Sequence, residues 1–470
     1  MKTIKALFII LLPLAVLSSC IDKENDDEID DNYQVNDWIL DLMEVYYLWN
    51  EKIPEKTDKE LAPSDYFESL LYRTEDRFSW IQEDFTELME NLVGIDTEPG
   101  YDFDLYALDN ETPRSVGGFI NYVKPNSPAA NTGLKRGQYF TKINDKAINE
   151  DNFRELTNEL YLPHTLTVFD IEDRTQQKIS FTPVRYEENP VLLDTVYQFD
   201  FRKIGYLMYN FFADDTGDGS QKYIRQLNDI FGKFKDEGID DLVLDLRYNQ
   251  GGALSTATSL SSMISGRNTD DIFLWFQYNQ LLDSYYNQAE GSNYNEVYFE
   301  NKIGTQTINK LGLSRLYVLT SGRTASASEV VINGLKPYLE VILIGQETYG
   351  KPFGSITIYE EDEEKQKTNK WGMQPIVVKF ANADKEADYI NGFAPDLVSM
   401  EIEELPFKQL GDINEKMLRD ALQAAGINSS RFEIKSTLRS DKPAQTKPIW
   451  SSADRKPVRR NTYINNIKLH

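Results

Sequence analysis

Apolar residues Val35, Trp38, Ile39, Leu42, Val45, Tyr46 and Trp49 recur three or four places apart. That spacing lines one face of a helix, so residues 33–94 are expected to form a small helical region. Further helices are predicted at Asp65–Leu71 and Phe85–Leu92, with Pro54 and Pro63 in the connections. An aromatic stripe of this kind fills a core, and no ligand is assigned to it. From Gly117 to Leu160 the pattern shifts to alternation, predicting strands at Phe119–Val123 and Tyr139–Ile143, a short proline-started helix at Pro128–Asn131 and a helix over Asp151–Tyr161. Beyond Asp200 the apolar runs become nearly continuous at Ile204–Tyr209, Asp241–Leu246, Leu316–Leu319 and Val341–Ile344. The run at Asp241–Leu246 is of the type buried on both faces, and the alternation of these strands with amphipathic stretches at Tyr223–Phe234 and Ala253–Ile264 predicts an α/β core. A strand over Gln374–Phe380 and a helix presenting Ile413, Met417, Leu418, Ala421 and Leu422 on one face complete the core. The divisions read from these shifts are 33–94, 95–187 and 188–430, followed by 431–470, a Ser-, Pro- and Lys-rich stretch expected to be a flexible basic tail.

Charge narrows the classes of partner. The chain has 470 residues and a formal charge of −26, with +2 in residues 1–19 and +7 in 431–470, which leaves −35 on the body. A body that acidic repels nucleic acid and anionic membrane surfaces, so neither is an expected partner. There are two histidines, His164 and His470, and one cysteine, Cys20. A His/Cys zinc site therefore has too few ligands, no EF-hand pattern appears, and no metal or cofactor is expected.

The opening residues carry basic Lys2 and Lys5, an apolar run from Ala6 to Leu17 interrupted by Pro13, and then Leu17-Ser18-Ser19-Cys20. The run is too short to span a bilayer and reads as a cleaved export signal. Its end resembles a bacterial lipoprotein box, which implies lipidation of Cys20 and a cell-envelope location, on the outer membrane, with the periplasmic and outer faces both open. The acidic run over 21–32 is expected to be a disordered tether. It also resembles the acidic export tags of some Bacteroidetes-type surface lipoproteins.

Candidate chemistry sits between Arg315 and Gly354. A short strand, a turn of small residues (Ser321–Ala325) and a helix from about Ser326 place that serine at a helix N-terminus, where free N–H groups favour a developing anion. Ser326 followed by Glu329 also has the form of a capping box, and a serine there can be both cap and nucleophile. With histidines so scarce, a serine nucleophile needs another base. Lys351, after the apolar strand and between Gly350 and Pro352, is the best-placed candidate. A lysine base must be buried and lowered from roughly 10.4 to about 7–8. In RYNQGG, the double glycine Gly251-Gly252 after a buried strand lets backbone N–H groups approach a reacting carbonyl. Asp245 and Arg247 read as structural supports of that loop.

T-A-S-A-S-E, an apolar strand and then G-x-x-T-Y-G-K resemble the signature of the C-terminal processing (tail-specific) peptidases. D-L-R-x-N-x-G-G resembles the same family's glycine loop, NGFAPD (Asn391–Asp396) a later turn, and WILDLMEVYYLWNEKIP with DRFSWI its N-terminal helical region. The resemblance implies Ser326 as nucleophile, Lys351 as general base 25 residues on, and Gly251 or Gly252 with the Ala327 N–H as oxyanion hole. Some members place an acid about eleven residues after the serine, where Pro337 stands, or a glutamine four after the lysine, where Ser355 stands. Glu329 is therefore the better choice for an orienting residue. GGFINYVKPNSPAANTGLKRGQYF resembles a PDZ domain, with Gly137-Gln138 in place of the usual Gly-Asp and a carboxylate loop near Gly100–Leu105. The implied fold is an α/β core of the ClpP/crotonase-like ββα-spiral type with an inserted PDZ domain. The implied function is serine endopeptidase action on exported proteins or peptides with accessible C-terminal tails. A non-catalytic peptide-binding or glycan-binding lipoprotein that retains the fold is the alternative, against which no carboxylate pair stands out as an acid/base couple.

Overall fold

The computed structural model describes residues 23–433, 443–455 and 462–464. Helix Lys23–Tyr46 opens the chain, and its Val35, Ile39, Met43 and Tyr46 are buried against Tyr66, Phe67 and Leu70 of helix Pro63–Leu70. The acidic run from Lys23 is thus helical, which corrects the expectation of a disordered tether over 21–32. Acidic residue types are favoured in the opening turns of a helix, and the amphipathic stretch downstream supplies the buried face that sustains it. Residues 1–22, with Cys20, lie outside the described residues. Helix Phe85–Leu92 follows at its predicted place, capped by Asp84, whose side chain accepts from Thr86 N at 2.8 Å.

The central sheet has six strands in the order Val191–Phe199, Arg202–Tyr209, Asp241–Asp245, Arg315–Thr320, Glu340–Gly345 and Leu397–Val398. The first pair is antiparallel and the rest are parallel. Both faces are covered, as their continuous apolar runs require. Leu207, Tyr209, Leu242 and Leu244 point into the core shared with helices Lys222–Glu237, Leu254–Ser265 and Ala327–Leu335. Ile204, Tyr206, Met208 and Val243 face the opposite way, against helix Lys416–Ala424.

A second sheet orders Glu296–Tyr298, Ile272–Tyr278, Ile376–Asn382, Phe353–Ser355 and Thr462–Tyr463. The strand predicted over Gln374–Phe380 is divided. Gly372–Gln374 pairs with Trp80–Gln82 in a three-stranded sheet, while Ile376–Asn382 pairs with Ile272–Tyr278. Pro375 lies at the break, where its missing N–H cannot serve a ladder.

Residues 95–187 build a further sheet with its own core, including Phe103, Ile120, Phe140, Leu156 and Val168. Ile95–Glu98 pairs with Val184–Glu187 and brings the two ends of this module together. The helix predicted over Asp151–Tyr161 is Phe153–Asn158 continued by a 3₁₀ turn. At one edge strand Tyr101–Ala107 pairs with Val116–Val123 on one side and with Trp450–Ser451 on the other. Residues 443–455 and 462–464 are therefore placed against the body, which corrects the expectation of a flexible tail over 431–470. Two-residue strands are too short to leave an alternation in the sequence.

Candidate active site

Ser326 sits between strand Arg315–Thr320 and helix Ala327–Leu335 with φ 59° and ψ −115°. A non-glycine residue in that region carries strain of about 1–3 kcal/mol, which persists only where its surroundings over-determine it. They do so here. Thr324 Oγ1 donates to Leu246 O at 2.8 Å, Ala325 N to Asn249 O at 3.2 Å and Ser328 Oγ to the same carbonyl at 3.1 Å. These bonds lace the turn to the glycine loop. Gly251 has φ 120°, and a Cβ on it would lie 2.8 Å from Ser326 Cβ, so only glycine lets the loop run this close.

Glu329 ties the serine to the lysine. Its buried Oε2 accepts from Ser326 N at 2.9 Å and Lys351 N at 2.8 Å, while Oε1 accepts from Gly350 N at 2.7 Å and Thr348 Oγ1 at 2.6 Å. Burial raises the Glu329 pKa and these hydrogen bonds oppose the rise. Taking four donors requires the acceptor-only, ionised carboxylate. Sequence reasoning named Glu329 as an orienting residue, and the contacts seen are to the main chain on both sides of the site.

Lys351 is fully buried, with Nζ 5.3 Å from the Phe78 ring centroid. Burial lowers its pKa to about 7, while the charges of Asp76 and Glu329 pull it upward. Phe78 packs against Phe353 and Tyr349, with ring centroids 5.7 and 6.1 Å away. Asp76 accepts from Phe78 N and Ser79 N at 2.9 Å each and from Tyr47 Oη at 2.9 Å. Arg77 Nη2 donates to Ile390 O at 2.7 Å and Gly350 O at 3.1 Å, which docks this loop onto the lysine turn. Sequence reasoning missed Asp76, Arg77 and Phe78 as parts of the site. Their signal was the DRFSWI stretch, read only as part of the helical region.

Of the three N–H groups named for an oxyanion, that of Gly251 is turned away and donates to Asn249 Oδ1 at 2.8 Å. This removes Gly251 from the set and leaves the N–H groups of Gly252 and Ala327. Gly252 has φ 134°, and a Cβ there would meet Phe212 O at 2.1 Å. Asp245 and Arg247 lie beneath the loop. Arg247 is fully buried, pairing with Asp245 at 2.7 Å and with Glu415 at 2.8 Å, and reaching Glu401 at 3.0 Å. Arg136 of the 95–187 module joins the same group through Glu401 and Tyr248.

The sequence also concealed Thr462, whose hydroxyl hydrogen-bonds to the Ser326 hydroxyl. Ser355 Oγ donates to Thr462 O at 3.2 Å. Pro337 stands just beyond the end of helix Ala327–Leu335. His164 is remote in role: it is buried in the 95–187 module, where Nε2 lies 2.8 Å from Tyr101 Oη and burial lowers its pKa. Among the described residues no group of three or more His, Cys, Asp or Glu side chains is placed to hold a metal.

The site thus offers a serine with a strained backbone at a helix start and a buried lysine amine with its pKa lowered to about 7 by burial, the main-chain N–H groups of the two residues sharing one carboxylate. Residues 203–397 match the model of peptidase family S41, and residues 34–80 match that of the peptidase S41 N-terminal domain. A carboxy-terminal-processing protease of Bartonella bacilliformis is 26% identical over 240 residues, 49% of this chain and 49% of that protein. The carboxy-terminal processing protease CtpA of Bacillus subtilis is 23% identical over 290 residues, 60% of this chain and 53% of that protein. The chain thus spans about half the length of these curated relatives. The crystal structure of a Bacteroides fragilis protein assigned to the S41 proteases superposes with a TM-score of 0.67 at 28% identity, covering 83% of this chain and 98% of that one. The chain belongs to peptidase family S41.

Proposed function

We propose that the protein is a serine endopeptidase of the C-terminal processing type, with Ser326 as nucleophile and Lys351 as general base. The observation that carries this reading is the buried Lys351 amine with a pKa of about 7, on a residue whose main-chain N–H shares the Glu329 carboxylate with that of Ser326. A neutral amine takes the hydroxyl proton as Ser326 Oγ attacks a peptide carbonyl. The carbonyl oxygen, now negative, is received by the N–H groups of Gly252 and Ala327 at the helix start. The Lys351 ammonium returns its proton to the departing amine; water, deprotonated in turn by Lys351, attacks the acyl-enzyme, and the ammonium passes that proton to Ser326 Oγ as the carboxylic acid departs. No metal or cofactor is needed for these steps.

The 95–187 module reads as a PDZ domain, whose sheet edge at Tyr101–Ala107 receives an extended peptide by strand addition. Substrates in this reading are exported proteins or peptides with accessible C-terminal tails. Cys20 is proposed as the site of a lipid anchor to the cell envelope; Cys20→Ala, expressed in a Gram-negative host, is expected to move the protein from the membrane to the soluble fraction.

The decisive experiment incubates the purified protein and its Ser326→Ala variant with an unstructured polypeptide. Cleavage by the first and none by the second supports the reading, and equal cleavage by both overturns it. A phosphonate probe that labels the native chain at Ser326 and spares a Lys351→Met variant tests the proton transfer separately.

A further inference from the structure

One segment downstream of the core meets the candidate site at three successive places. Trp450 and Ser451 pair antiparallel with Leu105 and Asp104, extending the sheet edge of the 95–187 module. Ile449 N donates to Leu105 O at 2.8 Å, and Ala444 N to Ala107 O at 2.9 Å. Trp450 packs on Phe103 at 5.8 Å, and Ser452 Oγ donates to Asp102 Oδ2 at 2.9 Å. Next, Gln250 of the glycine loop donates to Ala453 O at 3.4 Å. Finally, Thr462 and Tyr463 pair in parallel with Gly354 and Ser355, three residues past Lys351. Tyr463 N donates to Gly252 O at 3.2 Å, Ile464 N donates to Ser355 O at 3.1 Å, and the Thr462 hydroxyl meets that of Ser326.

This pattern is how an extended peptide is recognised: main-chain bonds to a strand edge, with side chains seated in alternate pockets. Thr462 is fully buried, and Tyr463 is buried among Leu88, Leu92 and Ala253. Charge agrees. Residues 443–464 carry five basic groups and one acidic group, set against a body of −35.

We propose that the segment formed by Pro443–Arg455 and Thr462–Ile464 is an intramolecular ligand of the site, seated in the channel that an extended, basic protein substrate occupies. This rests on the peptidase reading, because it identifies the occupant and the substrate class of that same site. The hydroxyl against Ser326 is a side chain, so the segment fills the cleft without offering a carbonyl there, and a substrate must displace it.

The test uses the full chain with a site for a sequence-specific protease inserted after Glu433, cut after folding and purification so that no refolding is required. In a Ser326→Ala background, a fluorescent peptide spanning residues 443–464 is expected to bind the cut and washed protein at least tenfold more tightly than the uncut one, read by anisotropy. With Ser326 intact, cleavage of a basic unstructured polypeptide is expected to rise at least tenfold on cutting and to fall when the peptide is returned. Equal peptide binding before and after cutting overturns the proposal. So does activity that is lost on cutting and restored by the peptide, since the segment then completes the site instead of filling it. Should the binding difference appear with no hydrolysis by either form, the occupancy stands and the peptidase reading fails. Where the cut segment does not wash out, the full chain carrying Trp450→Ala and Thr462→Ala, which weakens the seating of the segment, takes the place of the cut protein in both assays.

Discussion

Glu329 holds Lys351 by its main chain, its Oε2 accepting the lysine N–H at 2.8 Å while the amine of the same residue lies buried beside Phe78. The carboxylate sets where the lysine starts, and the apolar wall sets its protonation. The negative charge of Glu329 also raises the Lys351 pKa. Glu329→Gln is therefore expected to move the acid limb of the pH–rate profile to lower pH. Because two of its four accepted bonds are lost, kcat is expected to fall by roughly tenfold or more, as for a charged hydrogen-bond network losing about 1.5–3 kcal/mol. A pH–rate profile of the variant checks both effects.

Lys351 itself yields two predictions. Activity needs the neutral amine, so it is expected to decline as pH falls through about 7. Wild-type stability moves in the same direction, in the window above that value. Between about 7 and the unfolded value near 10.5 the unfolded chain binds one more proton than the folded one, so stability rises with pH across that window. Lys351→Met removes this penalty and is expected to stabilise the fold at pH 7 by up to about 5 kcal/mol. The advantage should vanish towards pH 10.5. Urea unfolding of both chains across this range measures the difference.

The backbone of Ser326 predicts a separation of stability from activity. Ser326→Gly relieves a φ of 59° and is expected to stabilise the protein by about 1–2 kcal/mol while abolishing hydrolysis. Ser326→Ala abolishes hydrolysis without that gain. Thermal melts of the two variants side by side provide the comparison.

Beneath the glycine loop, Arg247→Met leaves Asp245 and Glu415 buried without their shared cation. Breaking such a buried pair from one side costs about 3–5 kcal/mol. Chemical denaturation is expected to show a loss of that size, far above that of a surface pair such as Lys367 with Glu364.

The central sheet and the two residues proposed to react were picked out in the sequence because each has a local signature. The runs at Ile204–Tyr209 and Asp241–Leu246 are apolar on both faces, and Ser326 and Lys351 stand in short motifs next to such strands. What escaped notice depends on distant parts of the chain meeting. The wall around Lys351 comes from Asp76 and Phe78, more than 270 positions away, and no periodicity records that meeting. Thr462 and Tyr463 form a strand of two residues, too short for alternation to register. The acidic run after Lys23 was judged by composition, which cannot see that the amphipathic face following it carries a helix backward into that run. Pro375 was visible, and its meaning as a crossing between sheets required knowing that two sheets flank it.

The loop Asp76–Ser79 bears on modularity. The stretch that matches the peptidase model, 203–397, contains the serine and the lysine but none of the Asp76–Ser79 lining. Cut out alone, that stretch would admit solvent to the Lys351 amine, which would regain its charge and with it the inability to accept a proton at neutral pH. On the proposed mechanism the smallest competent unit is thus discontinuous: the Asp76–Ser79 loop belongs to the acid–base apparatus as much as Ser326 and Lys351 do.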